Sequence, residues 1–132
     1  MSKNKGVKNL LAAQYGNECM LSGSKYQLTY HHIEKEADGG DKSVDNGALV
    51  SSMGQVWLHN NIETKDKELF DLINECLQLY KRVIELEDIR LLQQYRDEVI
   101  PLFQQAIWNY HQVLYPTHRK QKKLVKKMNK GE

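Results

Sequence analysis

The sequence predicts an α+β fold, mostly α: a small strand-and-turn segment with a short helix before it and a helical hairpin after it. Three observations predict this. Residues 65–114 carry apolar side chains at helix spacing over many turns. Residues 19–60 are rich in Gly, Ser and Asp and hold one β-branched, aromatic run. A short apolar segment near the start stops at Gly16-Asn17.

In chain order, Val7 to about Tyr15 is expected to be the short first helix, with Leu10 and Leu11 as its apolar side. The run Gln27-Leu28-Thr29-Tyr30-His31-His32-Ile33 has the composition of a strand. Glu34 to Asp45, with Gly39-Gly40, reads as a loop, and Asn46 to Val50 as a short turn or strand. Ser51 and Ser52 can cap a helix running to about Asn60. In the third region, Leu69, Leu72, Ile73, Cys76, Leu77, Tyr80, Val83 and Ile84 define one amphipathic helix, to about Leu86. A second periodic run starts at Asp88, and Pro101 interrupts it, predicting a break or kink just before that residue. Two such helices with a short connection form an antiparallel hairpin, and neither shows obvious chemistry. The expected division is therefore 1–62, 63–117 for the hairpin packed on it, and 118–132 as a basic tail.

Composition narrows the class. The chain has 132 residues, 40% of them hydrophobic, and no apolar run near the roughly 18 residues of a membrane span. Leu10 to Ala13 is too short for a signal-peptide core, so a cytoplasmic protein is expected. Cys19 and Cys76 form no C-x-x-C pair and read as thiols in a reducing compartment, Cys76 in the core. Net charge is +2, but residues 118–132 carry +6, which leaves −4 on the first 117. The tail residues Arg119, Lys120, Lys122, Lys123, Lys126 and Lys127 suit contact with a polyanion, most obviously nucleic acid. A solvated tail that binds nothing is the plainer alternative.

The candidate chemistry lies between. Tyr30-His31-His32-Ile33 sets two histidines side by side on a strand, where neighbours point to opposite faces. One can hold a metal ion while the other meets a substrate. Asn46 follows fourteen residues after His32, and Gln55 and His59 stand four apart, on one face of a helix. A strand histidine, His59 and Gln55 can then converge on one ion. The plainer readings are strand histidines satisfied by neighbours, and Asn46 as a turn residue in Asp45-Asn46-Gly47.

From Cys19 to His59 the chain resembles the HNH endonuclease family: C-M-L-S-G, Y-H-H-I, D-G-G, S-V-D-N-G-A-L-V and Q-V-W-L-H follow in that family's order and spacing. The resemblance implies a ββα-metal motif that hydrolyses DNA phosphodiester bonds with one divalent ion (Mg²⁺, Mn²⁺, Ni²⁺ or Zn²⁺), in a protein of phage or mobile-element origin. It implies His31 and His59 as metal ligands, with Gln55 where the family commonly has a histidine or asparagine. His32 would be the general base, and Asn46 would tie the loop to the strand and orient His32. Ser22, Ser51 and Gly54 stand where many members carry zinc-binding cysteines, so no structural zinc is expected and the C-terminal helices are expected to take over the scaffolding. The rival class is a non-catalytic HNH-like binding protein, such as a phage-encoded inhibitor or regulator acting through its helical half. That half also suits a protein partner or homodimer.

Overall fold

The computed structural model describes residues 3–114; the tail residues Arg119 to Lys127 lie outside them. Helix α1 spans Lys3–Tyr15, four residues longer at its start than the apolar pattern marks, because the polar residues there carry no periodic signal. A tight turn at Cys19–Ser24 leads to β1 (Leu28–His32), which pairs antiparallel with β2 (Gly47–Ser51) so that His31 faces Ala48 and His32 faces Gly47. Helix α2 (Ser52–Val56) starts at once, its first turn capped by the Ser51 hydroxyl, which accepts from the Gly54 N–H. It widens into a π-helical segment at Trp57–Glu63. Helix α3 (Lys67–Glu85) is capped by Asp66. Helix α4 (Ile89–Gln94) is capped by Asp88 and passes through a second π segment, Tyr95–Val99, into α5 (Ile100–Leu114). Among the described residues no helix is long and apolar enough to cross a membrane.

That second π segment is the interruption Pro101 demands. Proline offers no N–H and its ring crowds the carbonyl four residues back, and a widened turn relieves both. The Ile100 N–H reaches back five residues to the Tyr95 carbonyl.

One core joins these elements. Leu11 of α1, Met20 and Leu21 of the turn, Leu49 and Val50 of β2, Leu58, and Phe70, Ile73 and Leu77 of α3 pack together. The two long helical runs meet at their connection, where Tyr80 stacks on Tyr95 at 3.8 Å, and then each packs on a different part of the ββα unit. Helix α3 covers the sheet and the helix after it. Helix α5 lies against α2 through Trp57–Phe103, Ile107, and His111, whose Nε2 donates to the Met53 carbonyl. It also reaches the Cys19–Ser24 turn, where Gln104 donates to the Ser22 carbonyl at 2.6 Å. Cys19 and Cys76 are free thiols; Cys19 is buried, accepting from the Ser22 N–H, and Cys76 is half-buried beside Tyr95, where burial pushes its thiol up.

The β1–β2 loop is held by close approach and by one buried cation. A Cβ on Gly47 would lie 2.4 Å from the Tyr30 ring, and one on Gly40 would lie 1.9 Å from the Glu34 carbonyl oxygen, so neither position admits a side chain. Lys81 of α3 is buried, and its ammonium donates to the carbonyls of Val44, Asp45 and Gly47 at 2.6–2.9 Å, with the Tyr15 ring at 4.8 Å. Burial pushes the Lys81 pKa down, and the three carbonyls and the ring accommodate its charge. Replacing Lys81 with Met leaves those carbonyls without a donor. Urea unfolding should show a loss of about 2–3 kcal/mol, and a loss below about 0.5 kcal/mol would refute the clasp.

Candidate functional site

Gln55 is the centre of the polar cluster. The side-chain amide nitrogen of Gln55 donates to the Thr29 hydroxyl and the Tyr30 carbonyl, both at 3.1 Å, and the Thr29 hydroxyl spends its own proton on the Val50 carbonyl. The amide is therefore fixed nitrogen toward the sheet, oxygen outward. That oxygen lies 3.2 Å from His31 Nδ1 and 3.0 Å from His59 Nε2. The i, i+4 relation of Gln55 and His59 survives the π segment, which carries His59 between Gln55 and Glu63.

The outer nitrogens are also engaged. His31 Nε2 lies 2.7 Å from Asn74 Oδ1, and His59 Nδ1 lies 2.9 Å from the Glu63 carboxylate. His31 is buried, and burial pushes its pKa down, which favours the neutral ring. With both rings in the neutral form, two N–H protons serve four nitrogen–oxygen contacts. The carboxylate claims one and the shortest contact claims the other. His31 Nδ1, His59 Nε2 and Gln55 Oε1 then face one another as three lone-pair donors with no proton between them.

Such a trio suits a cation. Ligand bonds of about 2.1 Å at near right angles set neighbouring donors about 3.0 Å apart, close to the two separations found here. Two imidazoles with an amide oxygen suit a borderline divalent ion that keeps water or substrate oxygens in its other positions. Among the described residues no group of three or more His, Cys, Asp and Glu side chains that could hold a metal ion is found; the donors gathered here are two imidazoles and one amide oxygen.

Phe70 of α3 closes one side, its ring centroid 5.7 Å from that of His59 and 6.5 Å from that of His31. On the open side, a cavity of about 190 Å³ is lined by Tyr30, His31, His32, Lys35, Glu36, Gln55 and His59. His32 is half-exposed there, its ring edge-on to Tyr30 at 4.9 Å, and it takes no part in the His31–Gln55–His59 cluster. Lys35 pairs with Glu63, which holds the ammonium pKa above its usual value.

No family model matches the chain, and no curated protein or solved structure matches it.

The structure brings together four of the residues singled out in the sequence: His31, His32, Gln55 and His59. Asn46 stands apart. Its amide accepts from the Glu34 N–H and donates to the Glu34 and Asp41 carbonyls at 2.8–2.9 Å. It ties the loop, as expected, but none of these bonds reaches His32, whose orientation comes from the Tyr30 ring. The C-terminal helices, which show no obvious chemistry in the sequence, bring Asn74 and Phe70 of α3 against the two histidines. Glu63 also lay past the expected end of its helix. Its spacing of four from His59 was a legible signal; Asn74, forty-three residues from His31, offered none.

In the metal-free protein, ¹⁵N NMR should find His31 protonated at Nε2 and His59 at Nδ1. Asn74→Leu should release His31 into a mixture of tautomers while leaving His59 unchanged. His31 protonated mainly at Nδ1 in the wild type would contradict the assignment.

Proposed function

We propose that this protein is a metal-dependent endonuclease of the HNH type, acting on DNA. The single observation that carries the reading is the convergence of His31 Nδ1, Gln55 Oε1 and His59 Nε2 on the cavity that His32 also lines. The Cys19–His59 resemblance supports it, and so does the basic composition of residues 118–132, which suits a polyanionic substrate.

The reaction is hydrolysis of a phosphodiester. His31, Gln55 and His59 would hold a divalent cation, which would supply positive charge to the phosphate and to the departing oxygen. His32 supplies the base: its half-exposed imidazole accepts the proton of the attacking water as the water oxygen bonds to phosphorus and the opposite P–O bond breaks. The Tyr30 ring beneath it restricts its rotation, and the Tyr30 hydroxyl is anchored by donating to the Ser43 carbonyl at 2.6 Å. His31, Gln55 and His59 bind and orient. Asn46 keeps the loop closed beside them.

A binding protein on the same scaffold is the second reading, favoured by the large apolar side chains exposed on α3.

Plasmid incubated with the protein and Mg²⁺, Mn²⁺ or Ni²⁺ should be nicked or cut. His32→Ala should lower the rate by ~10²–10⁴-fold with ion affinity unchanged in a calorimetric titration. No cleavage by the wild type with any of the three ions sinks the nuclease reading. Loss of ion binding in His32→Ala would mean that the roles of the two histidines are exchanged.

A further inference from the structure

We infer that the outer face of α3 is a dimer interface, occupied by the same helix of a second copy of this chain in antiparallel orientation. Helix α3 is apolar on two sides. Its inner side, Phe70, Ile73, Leu77 and Tyr80, is spent in the protomer's core. A second set, Leu69, Leu72, Cys76, Leu79, Val83 and Leu86, alternates spacings of three and four over eighteen residues, which is an unbroken heptad pattern. Its leucines are left in solvent: Leu69 is 39% exposed, Leu72 58%, Leu79 66% and Leu86 71%, with Cys76 and Val83 half-buried between them. Soluble monomers rarely leave four large apolar side chains of one helix row uncovered. A heptad row matches a partner helix rather than a flat surface, because only supercoiling helices keep a 3.5-residue seam in contact.

Charge selects the partner and its direction. Take Leu69, Cys76 and Val83 as a positions and Leu72, Leu79 and Leu86 as d positions; the g edge is then Glu68, Glu75 and Arg82. In an antiparallel pair each a residue meets a d residue. Leu72 packs on Val83 of the second copy, Cys76 on Leu79 and Leu69 on Leu86, each contact made twice by the two-fold axis. The g edges then face each other, and Glu75 lies beside Arg82 in both directions. A parallel pair would instead set Glu68 and Glu75 against the apolar Ile73 and Tyr80 and lose the Glu75–Arg82 pairing. Its remaining pair, Arg82 with Glu87, falls past the end of the helix.

Sedimentation velocity on the full chain tests this. The wild type should be a dimer that dissociates on dilution. Leu79→Glu alters an exposed side chain and should raise the dimer dissociation constant at least ~30-fold with an unchanged circular dichroism spectrum; Leu72→Glu is the second variant should the first fail to fold. Glu75→Arg should weaken the dimer by setting like charges together, and adding Arg82→Glu should restore it. A wild type that stays monomeric at about 100 μM, or a dimer indifferent to both leucine variants, overturns the interface. Failure of the double charge variant to restore association overturns the antiparallel register.

Discussion

Four ring nitrogens of His31 and His59 face three oxygens, and two rings in the neutral form have only two protons for the four contacts. The amide of Gln55 turns this shortage into a site. Its nitrogen is committed to Thr29 and the Tyr30 carbonyl, so its oxygen cannot rotate away to offer a donor. Glu63 and Asn74 hold the outer nitrogens, and the two inner ones are left facing an oxygen. Three acceptors facing one another leave their lone pairs unmatched unless a cation or water enters between them. Each remaining feature serves that geometry: the sheet register that sets His31 opposite Ala48, the π segment that keeps His59 in line with Gln55 and Glu63, and Phe70 as a wall.

Helix α3 ties these parts into one body. Asn74 fixes His31, Phe70 seals the cluster, and Lys81 clasps the carbonyls from which β2 begins. A motif of some forty residues could not bury enough surface to hold its own loop. Here the strand–loop–strand unit is completed by a helix from the second half of the chain. Helix α5 plays a comparable part for the Cys19–Ser24 turn and the start of α2, through Gln104, Ile107 and His111.

Much of this was legible in the sequence where the signal is local. The strand at Tyr30-His31-His32, the serine cap at Ser51, the proline-induced interruption and the four-residue step from Gln55 to His59 all follow from backbone geometry or helix periodicity over a few residues. What escaped is long-range or exceptional. Nothing near Asn74 marks it as a histidine partner, because its role depends on how α3 crosses the sheet. Lys81 reads as one more surface charge on an amphipathic helix until the loop carbonyls are seen around it. The two π segments carry no composition of their own, and only the one before Pro101 had a local cause to announce it. Asn46 was read for two jobs and performs one, since its three amide bonds are used up on the loop backbone.

The central claim is that Gln55 Oε1 and the two inner imidazole nitrogens act together as a cation site. Isothermal titration of the metal-free protein with Mn²⁺ and Ni²⁺ tests it most directly, comparing the wild type with Gln55→Leu and His59→Ala. The account predicts one ion per chain in the wild type, with affinity lowered at least ~10-fold by either substitution. A wild type that binds neither ion, or an affinity that both variants leave unchanged, would contradict it.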